Sequence, residues 1–178
     1  MPRVRHTRAD YERLPEGVCA QLIEGELVMA PTPTPWHERL VAQFIEELVS
    51  FFGPRSGRIL PSKVEIVVGK PPDEEIVQPD VVVLPAGTNA MGRKWKPPTP
   101  VLVAEILSPS TEAYDRGAKL RIYAAAGVKE AWLLDPAEER IEIRDLAKGT
   151  HRVFAKGEVA ESRAVPGFRV DVTAFFAA

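Results

Sequence analysis

The chain has 178 residues, 45% apolar and 27% charged, with a formal net charge of −2. That length supports one domain with a real core, burying on the order of 70% of its unfolded surface, and no apolar run approaches the ~20 residues that cross a bilayer. The slightly negative balance excludes a protein that grips nucleic acid by overall positive charge, so any such role needs a local basic patch.

The opening MPRVRHTRAD lacks the apolar centre of a signal peptide, and the lone Cys19 has no partner for an internal disulfide. Both features fit a cytoplasmic protein. Proline is abundant while Asn89 stands as the single asparagine, a balance that leans towards a heat-adapted source.

Thr7 is placed to cap a short helix through Tyr11 and Arg13, which stops at Leu14-Pro15-Glu16-Gly17 and lies as a lid on the core. Gln21 to Ala30 (QLIEGELVMA) reads as a hairpin folded about Glu24-Gly25, with glycine supplying positive φ. Pro31, Pro33 and Pro35 stiffen the connection that follows. Thr34-Pro35 is a helix start, a capping hydroxyl followed by proline at the first helical position. The helix runs to about Phe52, with Leu40, Val41, Phe44, Ile45, Leu48, Phe51 and Phe52 forming an apolar stripe and Gly53-Pro54 ending it. His37 falls on the same stripe. It is either a core-edge histidine bonded to backbone or a neighbour of the acids discussed below.

Arg58 to Val68 reads as a strand, with Glu65 facing away from Val64 and Ile66. After a polar turn, Val77 to Leu84 is a second strand with Gln78-Pro79-Asp80 at its entrance. Pro85 to Pro100 is a long connection carrying Arg93, Lys94, Trp95 and Lys96. Three cations around an indole suit a grip on a phosphate backbone with base stacking, and equally suit a solvated loop.

Val101 to Leu107 is an apolar run of the kind covered on both faces, yet it holds Glu105. Burying that carboxylate costs several kcal/mol unless a metal ion, a cation or a set of donors compensates. Asp80 heads the other core run. Two acids on two core strands, separated by enough chain for the strands to pair, suggest a divalent-metal site. Ser108-Pro109-Ser110-Thr111 breaks the strand and starts a helix to about Ala126, closed by Gly127. Ala113, Gly117, Leu120 and Ala124 are mostly small and are expected to let this helix approach the sheet. Glu112, Asp115, Lys119 and Tyr123 form the adjacent stripe, which faces a cleft. Glu130 to Asp135 is another core strand, Ile141 to Asp145 pairs with it, and His151 to Ala155 extends the meander. Val165 to Val172 adds a last extended segment, and Phe175-Phe176 close over the core.

Mg²⁺ takes one or two protein carboxylates and keeps several waters, so Asp80 and Glu105 are a sufficient protein contribution. An ion so held activates water and stabilises charge on a phosphoryl group, and Lys119 in the same cleft would neutralise the developing anion. These residue types suit phosphodiester cleavage. The alternative remains that Asp115 and Lys119 form a surface ion pair worth ~0.3 to 0.5 kcal/mol, and that Asp80 caps a turn. One cysteine and three scattered histidines make no zinc set, and neither a phosphate-cradling glycine loop nor a Gly-x-Ser-x-Gly elbow occurs.

Taken together, Pro79-Asp80, the EILSPST of Glu105 to Thr111, the ladder Asp115, Lys119 and Tyr123, and the GVKEAWLLDP of Gly127 to Pro136 resemble the Uma-type putative restriction endonuclease family. The LIEGEL segment, Leu22 to Leu27, and His37 extend the likeness, which spans roughly Gln21 to Asp145. The resemblance implies the PD-(D/E)XK phosphodiesterase superfamily and its α/β (α+β) restriction-endonuclease-like fold. That fold is a mixed central β-sheet flanked by helices, here with an N-terminal hairpin and a C-terminal β-meander. It further implies that Asp80 and Glu105 ligate Mg²⁺ or Mn²⁺, that DNA is the substrate, that Glu24 joins the acidic cluster, and that homodimers are common. The superfamily pattern would put lysine two places after Glu105, where this chain has Leu107; within the family the next helix supplies it, at Lys119. Two functions follow. One is a metal-dependent endonuclease; the other is a non-catalytic binding or assembly module whose Asp80, Glu105 and Lys119 form an internal polar network.

Overall fold

A computed structural model describes residues 5–61, 64–88 and 98–177. The basic cluster Arg93, Lys94, Trp95 and Lys96 lies outside the described residues. In chain order, helix α1 (Arg8–Glu12) precedes strands β1 (Ala20–Ile23) and β2 (Glu26–Met29), then helix α2 (Pro35–Phe52). Strands β3 (Ile59–Pro61), β4 (Ile66–Val68), β5 (Glu75–Val77), β6 (Val81–Val83) and β7 (Leu102–Ile106) follow. Helices α3 (Glu112–Arg116) and α4 (Ala118–Ala126) lead into β8 (Glu130–Asp135), β9 (Arg140–Asp145) and β10 (Thr150–Phe154), and after these come β11 (Val159–Glu161), β12 (Arg169–Asp171) and helix α5 (Val172–Phe176).

The main sheet has six strands in the order β10-β9-β8-β7-β6-β3. It is mixed, because β7 and β8 pair in parallel while its other neighbours are antiparallel. A parallel pair needs a crossover, and α3 with α4 supplies it. Both central strands are buried along their whole length, which is why they read as apolar runs rather than as alternations. One face of this sheet, through Val81, Ala104, Trp132 and Ile143, packs on α2, α5 and the C-terminal segment. The other face, through Val82, Val103 and Ala131, packs on Ile122 and Tyr123 of α4. The hairpin β1–β2 joins β5 and β4 in a second sheet, ordered β2-β1-β5-β4. Glu24 and Gly25 both take positive φ, 54° and 79°, as the two central residues of a tight hairpin require.

Several local expectations change. Arg58 to Val68 is two strands rather than one, with β3 in the main sheet and β4 in the smaller one. Val77 to Leu84 divides in the same way around Gln78 to Asp80, where Pro79 has no N–H to continue a ladder. The helix after Thr111 breaks at Gly117 into α3 and α4, and its small face points outward, since Ala113, Gly117 and Ala124 are exposed while Asp115, Lys119 and Tyr123 are buried. Helix α1 buries no residue and is tethered by polar bonds, Tyr11 to Glu65 at 2.7 Å and Arg8 to Glu74 at 3.3 Å. Strand β11, unanticipated, pairs with β12. Phe51 of the α2 stripe stays exposed. Among the described residues no helix is long and apolar enough to cross a membrane.

Phe44 joins the layers. Its ring lies 5.6 Å from Trp132, 5.9 Å from Phe168 and 6.3 Å from Phe175, so one helix residue touches the sheet and the C-terminal segment together. Phe44→Ala should therefore cost ~3 to 5 kcal/mol of stability in urea unfolding with an unchanged slope. A loss below ~1 kcal/mol would show that this junction is not a unit of the core.

Candidate active site

Strands β6 and β7 pair with Val81 opposite Ala104. One further step sets Asp80 against Glu105, on the same sheet face as Val82 and Val103. Asp80 is fastened through Oδ2, which accepts the backbone N–H of Ile106 at 2.8 Å and lies 3.3 Å from His37 Nε2. Position 37 sits in the first turn of α2, with its N–H capped by the Thr34 hydroxyl at 3.1 Å. The imidazole thereby reaches the end of the sheet.

Glu105 is held through Oε1, which accepts from Lys119 Nζ at 3.0 Å and from the Tyr123 hydroxyl. Lys119 also stands 2.7 Å from Asp115 Oδ1, and Asp115 Oδ2 accepts the Thr111 hydroxyl at 2.7 Å. The side chains of Glu105, Lys119 and Asp115 are only 3%, 5% and 2% exposed, so the Asp115–Lys119 pair is a buried one and not a surface ornament. Asp115 on α3 and Lys119 and Tyr123 on α4 are all buried on the side that holds Glu105, despite the break at Gly117. Leu107, where the superfamily pattern has lysine, is buried.

Asp80, Glu105, Asp115, Lys119 and His37 line one cleft of about 210 Å³. Four carboxylates line it: Glu105 and Asp115 flank the Lys119 ammonium, while Asp80 and Glu38 lie against His37. Burial pushes the Glu105 carboxyl up to about 8, with Asp115 and Asp80 adding to the rise and Lys119 opposing it. Burial by itself disfavours the Lys119 ammonium, yet Glu105 and Asp115 outweigh it and hold the proton more firmly than on an exposed lysine. His37 is raised by its bond to Asp80, against the pull of burial. Tyr123, buried against Glu105, is raised well above an ordinary phenol.

A divalent cation fits this arrangement in one respect: Asp80 and Glu105 are each anchored through a single oxygen, and among the described residues no protein group is bonded to Asp80 Oδ1 or Glu105 Oε2. Also among the described residues, no set of three or more His, Cys, Asp or Glu is grouped to hold a metal. Two carboxylates are the kind of oxygen donors that Mg²⁺ or Mn²⁺ takes, rather than the nitrogen and sulfur donors of zinc.

Glu24 stands apart. Its carboxylate, 65% exposed, pairs with Arg121 at 2.9 Å and does not line the cleft. Gln21 and Gln78, which do line it, were not singled out from the sequence. The signal was there for Gln21, since the two-residue period of β1 puts it on the same face as buried Ile23.

Residues 8–173 match the family described as Uma2, putative restriction endonuclease. A crystal structure described as a putative nuclease of the DUF820 group from Anabaena variabilis has the same fold, with a TM-score of 0.77 over 96% of this chain and 97% of that one, at 21% identity. An uncharacterised protein of Synechocystis, slr1290, is 60% identical over 35 residues. That stretch is 20% of this chain and 18% of the relative's length.

The pH dependence of stability tests the charge count. Because the folded value for Glu105 lies above 4.5, the native chain holds a proton between about 4.5 and 8 that the unfolded chain has released. The stability from that proton is full at low pH and lost as pH rises through about 8. Glu105→Gln keeps the shape and never ionises, so without divalent metal it should gain on the wild type by about 1 kcal/mol or more across this window. A difference independent of pH would mean that Glu105 is an ordinary ionised partner of Lys119.

Proposed function

Because the chain belongs to the Uma2 family of putative restriction endonucleases, we propose that it is a metal-dependent endonuclease that hydrolyses DNA phosphodiester bonds. The supporting observation is the pair of half-anchored carboxylates, Asp80 and Glu105, set beside the buried Lys119 in one cleft. Asp80 and Glu105 would hold Mg²⁺ or Mn²⁺. Such an ion, when bound, makes water a better nucleophile and neutralises charge on the phosphoryl oxygens.

The chain's own groups do the positioning. His37 and the Ile106 N–H fix the rotation of Asp80, while Tyr123 fixes Glu105. Glu105 and then Asp115 keep Lys119 charged. The reaction is in-line attack of water on phosphorus, with one P–O ester bond broken as the new one forms. Negative charge then gathers on the phosphoryl oxygens, where the ammonium of Lys119 stabilises it without reorganising. Supplying this cation from α4 makes Leu107 an unremarkable neighbour, because a four-carbon stem delivers charge from an adjacent element. A second reading has its own support. Lys119 already bonds Glu105 and lies against Asp115, so the cluster also serves as an internal network in a non-catalytic module.

Mg²⁺ or Mn²⁺ should raise the melting temperature of the wild type and not that of Asp80→Ala. No shift in the wild type, with no cleavage of any DNA form, favours the module. Glu105→Gln should abolish cleavage while keeping the circular dichroism spectrum; activity retained at saturating metal removes Glu105 from the reaction. Lys119→Met should lower turnover ~10²- to 10³-fold while changing metal affinity far less. Equal losses in both would make Lys119 a structural residue.

A further inference from the structure

The part of the cleft that the acids and Lys119 leave unused carries two side-chain amides. Gln21 is 7% exposed, and its Oε1 accepts the backbone N–H of Gln78 at 3.0 Å. That bond turns its amide nitrogen away from Gln78. Gln78 Nε2 in turn donates to the Tyr11 hydroxyl at 3.0 Å, and Tyr11 donates to Glu65 at 2.7 Å, so Gln78 is left to offer its carbonyl Oε1. Among the described residues no protein group is bonded to Gln21 Nε2 or to Gln78 Oε1. Both glutamines line the same cleft as Asp80 and Glu105, and each carries one amide atom with no protein partner among the described residues.

A glutamine amide complements the edge of a nucleobase, where a donor and an acceptor sit side by side. The segment Ala30 to Thr34, with two prolines and two threonines, also lines the cleft. The cleft itself measures about 210 Å³. At its floor Glu105 and Lys119 are 3% and 5% exposed. A duplex presents its phosphates outward but keeps its bases paired and stacked, so it does not bring a phosphate and a free base edge together into so recessed a cleft. A nucleotide out of the stack does.

Resting on the nuclease reading above, we infer that the cleft admits one unpaired nucleotide, so that the substrate is single-stranded or frayed DNA and not intact duplex. Gln21 and Gln78 read the edge of its base.

The test uses the full-length Glu105→Gln protein in Mg²⁺, to prevent turnover, with fluorescein-labelled oligo-dA, oligo-dC and oligo-dT of about 12 nucleotides and a duplex of the same length. Fluorescence anisotropy should show one homopolymer bound ~10-fold or more tighter than the others and tighter than the duplex by at least as much. Adding Gln21→Glu keeps the acceptor for Gln78 and replaces the donor by an acceptor, so it should reorder the base preference. Adding Gln21→Met should reduce the spread among homopolymers to within ~3-fold. Duplex bound as tightly as single strands, or a base preference untouched by both substitutions, overturns the inference and leaves the nuclease reading standing. Binding of no DNA form, together with no cleavage by the wild type, removes both.

Discussion

A carboxylate in the middle of a buried parallel strand is the constraint from which the rest of this molecule follows. Glu105 lies on β7 between β6 and β8, where both faces are covered, and water cannot compensate its charge there. The protein answers with Lys119 and Tyr123, both bonded to Oε1, and with Asp115 and Thr111 holding the lysine's surroundings in turn. That demand overrides the packing preference of the crossover helix. Its small residues would let it approach the sheet, yet they face outward, and the chain breaks at Gly117 between α3 and α4.

Protein groups hold only one oxygen of Asp80 and one of Glu105 among the described residues. Burial raises Glu105 to about 8, so it holds a proton that a bound divalent cation would displace. The two layers share the task. Helix α2 packs through Phe44 and Leu48 on one sheet face, and its first turn carries His37 round the sheet end to Asp80 on the other. Packing on one side thus sets the rotamer of an acid on the far side.

Much of this was legible in residue order. Thr34-Pro35 and Gly53 bound α2 as written, Glu24-Gly25 turns the hairpin, and the runs at 102–106 and 130–135 are the two buried parallel strands. The grouping of Asp115, Lys119 and Tyr123 came from helical period alone; Lys119 and Tyr123 meet at Glu105, and Asp115 pairs with Lys119. Glu24 misled, because a position in a family pattern carries no information about where an exposed turn points; Arg121 holds it outside the cleft. The strand boundaries at Pro61 and Pro79 were missed because a short apolar run does not reveal which of two sheets will claim it.

The sequence by itself determined the identities that matter: an acid in each of two core strands, a lysine and a tyrosine at helical spacing, and turns written in glycine and proline. Those follow from local rules, whose range is a few residues. Only the tertiary structure decided which helix face turns inward, which oxygen of each carboxylate is taken, and that two glutamines share the cleft with them. Such choices depend on desolvation and pairing between groups far apart in the chain, Gln21 with Gln78 and His37 with Asp80, and a burial cost of that kind exists only once the layers have closed.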